Sequence, residues 1–83
     1  MENRLALIGI IVENPESVET LNKTLHEFRK YIIGRMGIPY RERDISVISV
    51  TLDAPADVIS SLSGKIGMLN GVTSQVLMAK LNA

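Results

Sequence analysis

The sequence contains no cysteine and no tryptophan, and it has one phenylalanine, two tyrosines and one histidine. Without cysteine the chain can form no disulfide, no thiolate metal site and no cysteine nucleophile. Because aromatic residues are so few while 46% of the residues are hydrophobic, the core must be built from aliphatic side chains. A chain of 83 residues is long enough for one domain, and we expect a single domain spanning residues 1–83.

The sequence also has no excess of positive or negative charge, since nine basic residues balance nine acidic residues. A chain without a basic excess lacks the electrostatic footprint of a nucleic-acid binder or of a polybasic membrane-surface protein, so neither partner is expected. No apolar run approaches the roughly 18 residues of a membrane span. The N-terminal residues Met1-Glu2-Asn3-Arg4 lack the features of a signal peptide, and the sequence therefore predicts a cytoplasmic protein.

The first half of the chain predicts a strand, a helix and a second strand. Residues 5–12 (LALIGIIV) form a short, nearly unbroken apolar run typical of a strand buried on both faces. Asn14 is a favourable helix N-cap, Pro15 suits the first helical position, and Gly34 suits the end of the helix. The apolar stripe predicted for this helix consists of Val18, Leu21, Leu25, Phe28 and Ile32.

The second half repeats this order. Residues 35–41 read as a short strand, and Pro39 places it at a sheet edge because proline cannot donate a ladder hydrogen bond. The other predicted elements are a β-branched strand at 44–52, a helix beginning at 53–55, a left-handed cap at 70–71 and a last strand at 72–81.

An internal repeat with an offset of 40 residues predicts the topology. The offset aligns Ile8 with Ile48, Ile10 with Val50, Val12 with Leu52, and Pro15 with Pro55. Two βαβ halves in tandem make the ferredoxin-like βαββαβ fold, an α+β sandwich with a four-stranded antiparallel sheet and two helices on one face. Right-handed crossovers then place the first and third strands in the centre of the sheet.

The repeat also predicts which side chains face the helices. If Ile8, Ile10, Val12, Ile48, Val50 and Leu52 face the helices, then Leu7, Ile11, Ile45 and Val47 point to the opposite, open face, because side chains alternate along a strand. We expect these four residues to form the interface of a homo-oligomer, a dimer or a tetramer. The alternative is an ordinary half-apolar sheet face on a monomer.

No motif in the sequence predicts catalysis, a metal site or a cofactor. His26 falls on the polar side of the first helix, where a solvated side chain is expected. Residues 60–65 (SSLSGK) contain a Ser-x-x-Lys pattern that is better explained as helix surface. Glu13 and Asp53 follow the two central strands, so we expect them to be neighbours in space, as a carboxylate pair requires. Their positions before the two predicted helices favour a capping role instead.

A basic cluster surrounds the second strand and includes Arg35, Tyr40, Arg41 and Arg43. Its guanidinium groups suit an anionic ligand or acidic residues across an interface. A strand edge protected by charge is an equally good explanation.

Three segments, residues 31–40 (YIIGRMGIPY), 48–50 (ISV) and 59–72 (ISSLSGKIGMLNGV), resemble the iron-only hydrogenase system regulators of anaerobic bacteria. The resemblance covers nearly the whole chain. That family is similar to ACT domains and to the regulatory domain of nickel-responsive repressors, which are ferredoxin-like and oligomeric. The pattern Leu-x-Gly-x-Ile-x-x-Leu-x-Gly-Val at 62–72 is the part shared with them.

Two departures limit what this resemblance implies. The chain has no histidine or cysteine on its predicted strands, so nickel sensing is not expected. The predicted first strand begins near residue 4, so the DNA-binding arm of those repressors is not expected here. The resemblance to ACT domains implies a small-molecule effector near Asn14, with contributions from a neighbouring chain. We expect Arg35, Tyr40 and Arg41 to supply the neighbour's side, because this segment offers charge-assisted donors for an anionic group.

The sequence therefore predicts a stand-alone, non-catalytic ACT-like regulatory or ligand-sensing module linked to hydrogenase metabolism. Two alternatives remain open: a structural protein–protein adaptor without a ligand, and a small enzyme whose site lies between subunits.

Overall fold

The computed structural model describes residues 2–80, which form a four-stranded antiparallel sheet with two helices on one face. The elements are β1 (Asn3–Val12), α1 (Val18–Glu27), β2 (Ile32–Tyr40), β3 (Ile45–Pro55), α2 (Ala56–Gly67) and β4 (Val72–Met78). Single 3₁₀ turns lie at Pro15–Ser17, Arg29–Tyr31 and Arg41–Arg43. The strand order β2-β3-β1-β4 confirms the predicted ferredoxin-like fold, with β1 and β3 in the centre.

The core lies between the sheet and the helices, and it is aliphatic as predicted. Along β1 and β3 every second side chain is buried, and these include all six residues predicted to face the helices: Ile8, Ile10, Val12, Ile48, Val50 and Leu52. From the helices, Leu21 and Leu25 of α1 and Ile59, Leu62 and Ile66 of α2 complete the buried cluster. The alternation in the strands therefore leaves the opposite face of the sheet without a covering layer.

The predicted end of the first helix is wrong. The helix ends at Glu27, a 3₁₀ turn follows, and β2 begins at Ile32, so Ile32 and Gly34 belong to a strand. Ile32 still packs against the core, which is why it fits a helical stripe in the sequence. The register of β2 against β3 shifts between Ile32 and Gly34, so a bulge at Ile33 carries the chain into the edge strand.

The other element boundaries differ by a few residues. β3 continues to Pro55, so α2 begins at Ala56 and Asp53 lies in the strand and does not cap the helix. In the first turn of α2, Asp57 Oδ1 accepts a hydrogen bond from the backbone N–H of Val58 at 3.0 Å. β4 ends at Met78, and Leu81, the predicted end of this strand, lies outside the described residues.

The turn after β1 is tied to the turn before β4. The backbone N–H of Glu13 donates to the carbonyl of Gly71 at 2.7 Å, and the Ser17 hydroxyl donates to the carbonyl of Asn70 at 2.6 Å. Gly71 has the predicted left-handed conformation, with a φ of +69°, but it does not cap the helix: α2 ends at Gly67 and is capped at Met68, and Gly71 lies in the turn before β4. These contacts fix the entrance to α1 against the end of α2.

Candidate interaction face and ligand site

The open face of the sheet consists of rows of side chains that cross all four strands. The register pairs Ile11 with Val47 and Thr73, Gly9 with Ser49 and Gln75, and Leu7 with Thr51 and Leu77. On the outer side of β3, Met36 lies opposite Ser49 and Ile38 lies opposite Val47. Because directly opposed residues of antiparallel strands point to the same face, all of these side chains share the open face.

This open face is apolar and carries no charge in its central rows. Eight of the ten exposed large hydrophobic side chains among residues 2–80 lie on it: Leu5, Leu7, Ile11, Met36, Ile38, Tyr40, Val47 and Leu77. The remaining central positions are Gly, Ser, Thr and Gln, and the acidic residue Asp53 lies opposite Leu5 at one end of the face. Soluble monomers rarely expose a contiguous apolar patch of this kind.

The predicted interface residues fall at the centre of this surface. Leu7, Ile11 and Val47 are 39%, 43% and 40% exposed, and Ile45 is half-buried next to Tyr40 in the neighbouring strand. The predicted interface did not include the apolar side chains of β2 and β4, such as Met36. The alternation of side chains along these two strands could have identified them. With those strands included, the face is about twice as rich in large apolar side chains.

Gly9 produces a depression in the middle of the open face. It lies between Ser49 and Gln75, and a methyl group placed at its α-carbon would meet no other atom within 4 Å. The resulting hollow has a volume of about 270 Å³, and its walls include Ile11 and Val47. A hollow bordered by apolar side chains can accept a side chain from a facing surface.

The four residues predicted to bind a ligand do not converge within one chain. Asn14 Oδ1 accepts the backbone N–H of Glu16 at 3.0 Å, so Asn14 acts as a cap. Arg35 lies opposite Val50 on the helix side of β2, whereas Tyr40, five residues later, lies on the open face. Arg41 begins the 3₁₀ turn after β2. Whether a neighbouring chain brings these groups together stays a prediction.

Glu13 and Asp53 cannot form a carboxylate pair within one chain. β1 and β3 are antiparallel, so Asp53 lies opposite Leu5, while Glu13 follows Val12 at the other end of β1. The two carboxylates are thus separated by most of the length of the sheet. The expectation that they are neighbours in space was wrong because adjacent antiparallel strands end at opposite edges.

Side chains able to hold a metal ion are not grouped in the part of the chain that the structure describes. Among residues 2–80, no three His, Cys, Asp or Glu side chains lie together in a suitable arrangement. His26 is exposed near the end of α1. Within the same residues, neither helix is long and apolar enough to cross a membrane.

Two concave surfaces lie on the helix side of the sheet, and they differ in whether one or two elements line them. A volume of about 990 Å³ runs along the outside of α1, but it is lined only by residues between Pro15 and Glu27, so it has no second wall. A smaller groove of about 250 Å³ lies between α1 and β2. There, Arg35 Nη2 donates to Asn22 Oδ1 at 3.2 Å and joins the edge strand to the helix.

Comparisons with known proteins agree with this architecture. Residues 4–76 match the family described as "TM1266-like: Iron-only hydrogenase system regulator, putative". The structure of the uncharacterized protein TM1266 from Thermotoga maritima is similar, with a TM-score of 0.91 and 32% sequence identity over 95% of this chain and 100% of that one. A search of curated proteins finds no significant sequence match.

Two more distant structures share the fold alone. The C-terminal domain of the MgtC protein from Mycobacterium tuberculosis has a TM-score of 0.74 at 10% identity, covering 93% of this chain and 88% of that one. A formyltetrahydrofolate deformylase from Pseudomonas putida KT2440 has a TM-score of 0.57 at 17% identity, covering 88% of this chain but 28% of that one. From the family match and the similarity to TM1266, the chain belongs to the iron-only hydrogenase system regulator family.

Proposed function

We propose that the protein is a non-catalytic, ACT-like regulatory module that assembles into a homo-oligomer through its open sheet face and responds to a small-molecule effector. The observation that supports this most is the apolar open face, uncharged in its central rows, on a member of a family described as regulators. Its link to iron-only hydrogenase metabolism follows from the family description alone.

The open face has the size that a specific dimer needs. Strands about 4.8 Å apart and residues about 3.4 Å apart along each strand give this face an area of roughly 500 Å². Two copies packed face to face would remove roughly 1,000 Å² from water, which is near the lower limit for a specific protein interface. A smaller patch would not support a dimer by itself.

The energetics also favour association. Each of the eight large apolar side chains is partly covered already, so completing its burial contributes roughly 1 kcal/mol. For two copies this amounts to roughly 16 kcal/mol, compared with about 4–15 kcal/mol for the lost freedom of two molecules. The balance supports a dimer whose stability depends strongly on each apolar contact.

A second copy of the chain is the partner that this surface suits best. The central rows carry no charged residue, so no partner of opposite charge is required. A two-fold dimer brings one surface against itself, which demands that the surface be self-complementary. The hollow at Gly9 and the neighbouring side chains of Ile11 and Val47 provide a recess and projections on the same face.

The assembly is tested by placing a charge at the centre of the face. We expect a wild-type mass of at least twice 9.1 kDa by light scattering, and a monomer for Val47→Glu, because a carboxylate at this position would be buried without a partner. Met68→Glu is the matched control, since Met68 is 87% exposed and lies after α2, away from the sheet face. A wild-type monomer, or a Val47→Glu variant that still assembles, would contradict the proposed interface.

Sensing is tested separately by thermal-shift measurements with amino acids, nucleotides and metal salts. A ligand that binds only the native state raises its stability, by about 2.7 kcal/mol at a concentration of 100 times the dissociation constant. We expect at least one effector to raise the melting temperature in a saturable manner. An oligomer that responds to none of them would favour the structural adaptor instead.

A further inference from the structure

The groove between α1 and β2, here called the arginine groove, gathers the donors of two arginines. Asn22 and His26 lie one turn apart on α1, and Arg29 follows in the 3₁₀ turn after the helix; all three line the groove beside the edge strand. Arg35 reaches these residues from the helix side of β2. Leu25 and Ile32 complete the wall of the groove with apolar surface.

Both guanidinium groups are oriented by neutral acceptors. Arg29 Nη1 donates to the carbonyl oxygen of His26 at 3.0 Å, and Arg35 Nη2 donates to Asn22 Oδ1 at 3.2 Å. An arginine has five N–H donors in a planar fork, so these contacts leave most of the donors of each group unused. The side chains are thus positioned without being neutralised.

Charge compensation is missing from this groove. Among residues 2–80, the ion pair within 4.0 Å is the one between Lys23 and Glu19 on the exposed side of α1. Neither Arg29 nor Arg35 pairs with a carboxylate in that part of the chain. Two positive charges that face one recess without a counter-ion attract an anion.

We propose that the arginine groove binds the oxyanion group of a small molecule, a phosphate or a carboxylate, held by Arg29 and Arg35 with Asn22 as the positioning residue. The planar guanidinium fork matches both groups, and a recess of about 250 Å³ is sized for a small effector. This proposal rests on the sensing role proposed above, and it assigns the site to a single chain, with neither Tyr40 nor Arg41 taking part.

The test uses two-dimensional ¹H–¹⁵N spectra of the whole protein titrated with inorganic phosphate and, separately, with acetate. Sodium chloride keeps the ionic strength constant, so general screening of charge is the same throughout. We expect saturable shifts of the Asn22, His26 and Arg35 amides with at least one of the two anions. Shifts with phosphate alone assign a phosphorylated effector, and shifts with acetate alone assign a carboxylate effector.

Charge-removing variants then separate a built site from a generally positive surface. Arg29→Gln and Arg35→Gln should each weaken binding by about tenfold or more, because each removes charge-assisted hydrogen bonds. Arg35→Lys should also bind more weakly, since an ammonium cannot replace the fork. Arg41→Gln, the matched control in the 3₁₀ turn after β2, should bind as wild type does.

The groove and the oligomer can fail independently. Repeating the titration with Val47→Glu shows whether the site needs the assembly, and we expect unchanged affinity because the groove lies on the helix side of the sheet. No shift with either anion would overturn the arginine groove while leaving the oligomer untouched. Shifts that survive in Arg29→Gln and Arg35→Gln would also overturn it.

Discussion

The substitution Gly71→Ala should destabilise the protein more than any other glycine substitution in the described chain. Gly71 has a φ of +69°, which costs a residue with a β-carbon about 1–2 kcal/mol. A β-carbon there would also lie 2.6 Å from the Asn14 β-carbon and 3.0 Å from the Asn14 backbone nitrogen. Overpacking of this kind typically costs about 1–3 kcal/mol, so the free energy of unfolding should fall by about 2–5 kcal/mol.

The assay is urea denaturation at a fixed protein concentration, because an oligomer's stability depends on its concentration. The cost of the positive φ and the cost of the close contact can be separated in an Asn14→Gly background, which removes the β-carbon nearest to the new methyl group. There the Gly71→Ala cost should fall toward the backbone contribution of about 1–2 kcal/mol. Gly64→Ala is the matched control, since its methyl group meets no atom within 4 Å and alanine favours α2 by roughly 1 kcal/mol.

A loss below about 1 kcal/mol for Gly71→Ala would refute the close approach of the two turns. The same loss in both backgrounds would refute the role of the Asn14 β-carbon and leave two causes, the backbone conformation of residue 71 and its contact with the Asn14 backbone nitrogen.

Three further outcomes follow from the core, the cap and the composition. Leu62→Ala, at a fully buried position of α2, should lower the free energy of unfolding by about 2–5 kcal/mol in urea denaturation, and a loss below 1 kcal/mol would contradict its place in the core. Asn14→Ala should cost about 1 kcal/mol in the same assay, with Asn14→Asp retaining most of the stability, because either side chain can cap the Glu16 N–H. Treatment with a chelator should leave the melting temperature unchanged, since the chain has no cysteine and one exposed histidine; a large decrease would reveal a structural metal.

The sequence was most informative where two constraints acted together. The 40-residue repeat aligned the buried positions of β1 and β3, and the period of two along a strand then assigned both faces of the sheet correctly. Pro39 lies on an edge strand, as expected because proline has no backbone N–H to donate. Gly71 has the expected left-handed conformation, although in the turn before β4 and not at the end of α2. In each case local chemistry and the global fold demanded the same arrangement.

The junction between α1 and β2 could not be predicted, because the order of its apolar residues is compatible with a longer helix and with the start of a strand. Ile32 continues the apolar stripe of the helix, yet it packs on the core from the first position of a strand. Tertiary packing favours the strand at this position. The β-branched pair Ile32-Ile33 and the bulge at Ile33 favour it as well. Helix ends are commonly the least predictable part of such a pattern.

In the candidate sites too, some features could be predicted from the sequence and others could not. The separation of Arg35 from Tyr40 was predictable, because two residues five apart in a regular strand point to opposite faces. The contact between Arg35 and Asn22 was not, since it depends on how far α1 lies from the edge strand. Pairing between residues distant in the sequence requires the packed structure, and the arginine groove is defined by such a pairing.

If the open sheet face is buried against a second copy of the chain, its side chains must be shielded from solvent in the native assembly. Methyl signals of Leu7, Ile11 and Val47 can be recorded in the presence of a soluble paramagnetic agent, with the exposed Met68 methyl as an internal reference. Our account predicts that these three residues are protected nearly as well as the buried Leu62, while Met68 is strongly attenuated. Attenuation of Leu7, Ile11 and Val47 to the level of Met68 would show that the face is open to water and would contradict the account.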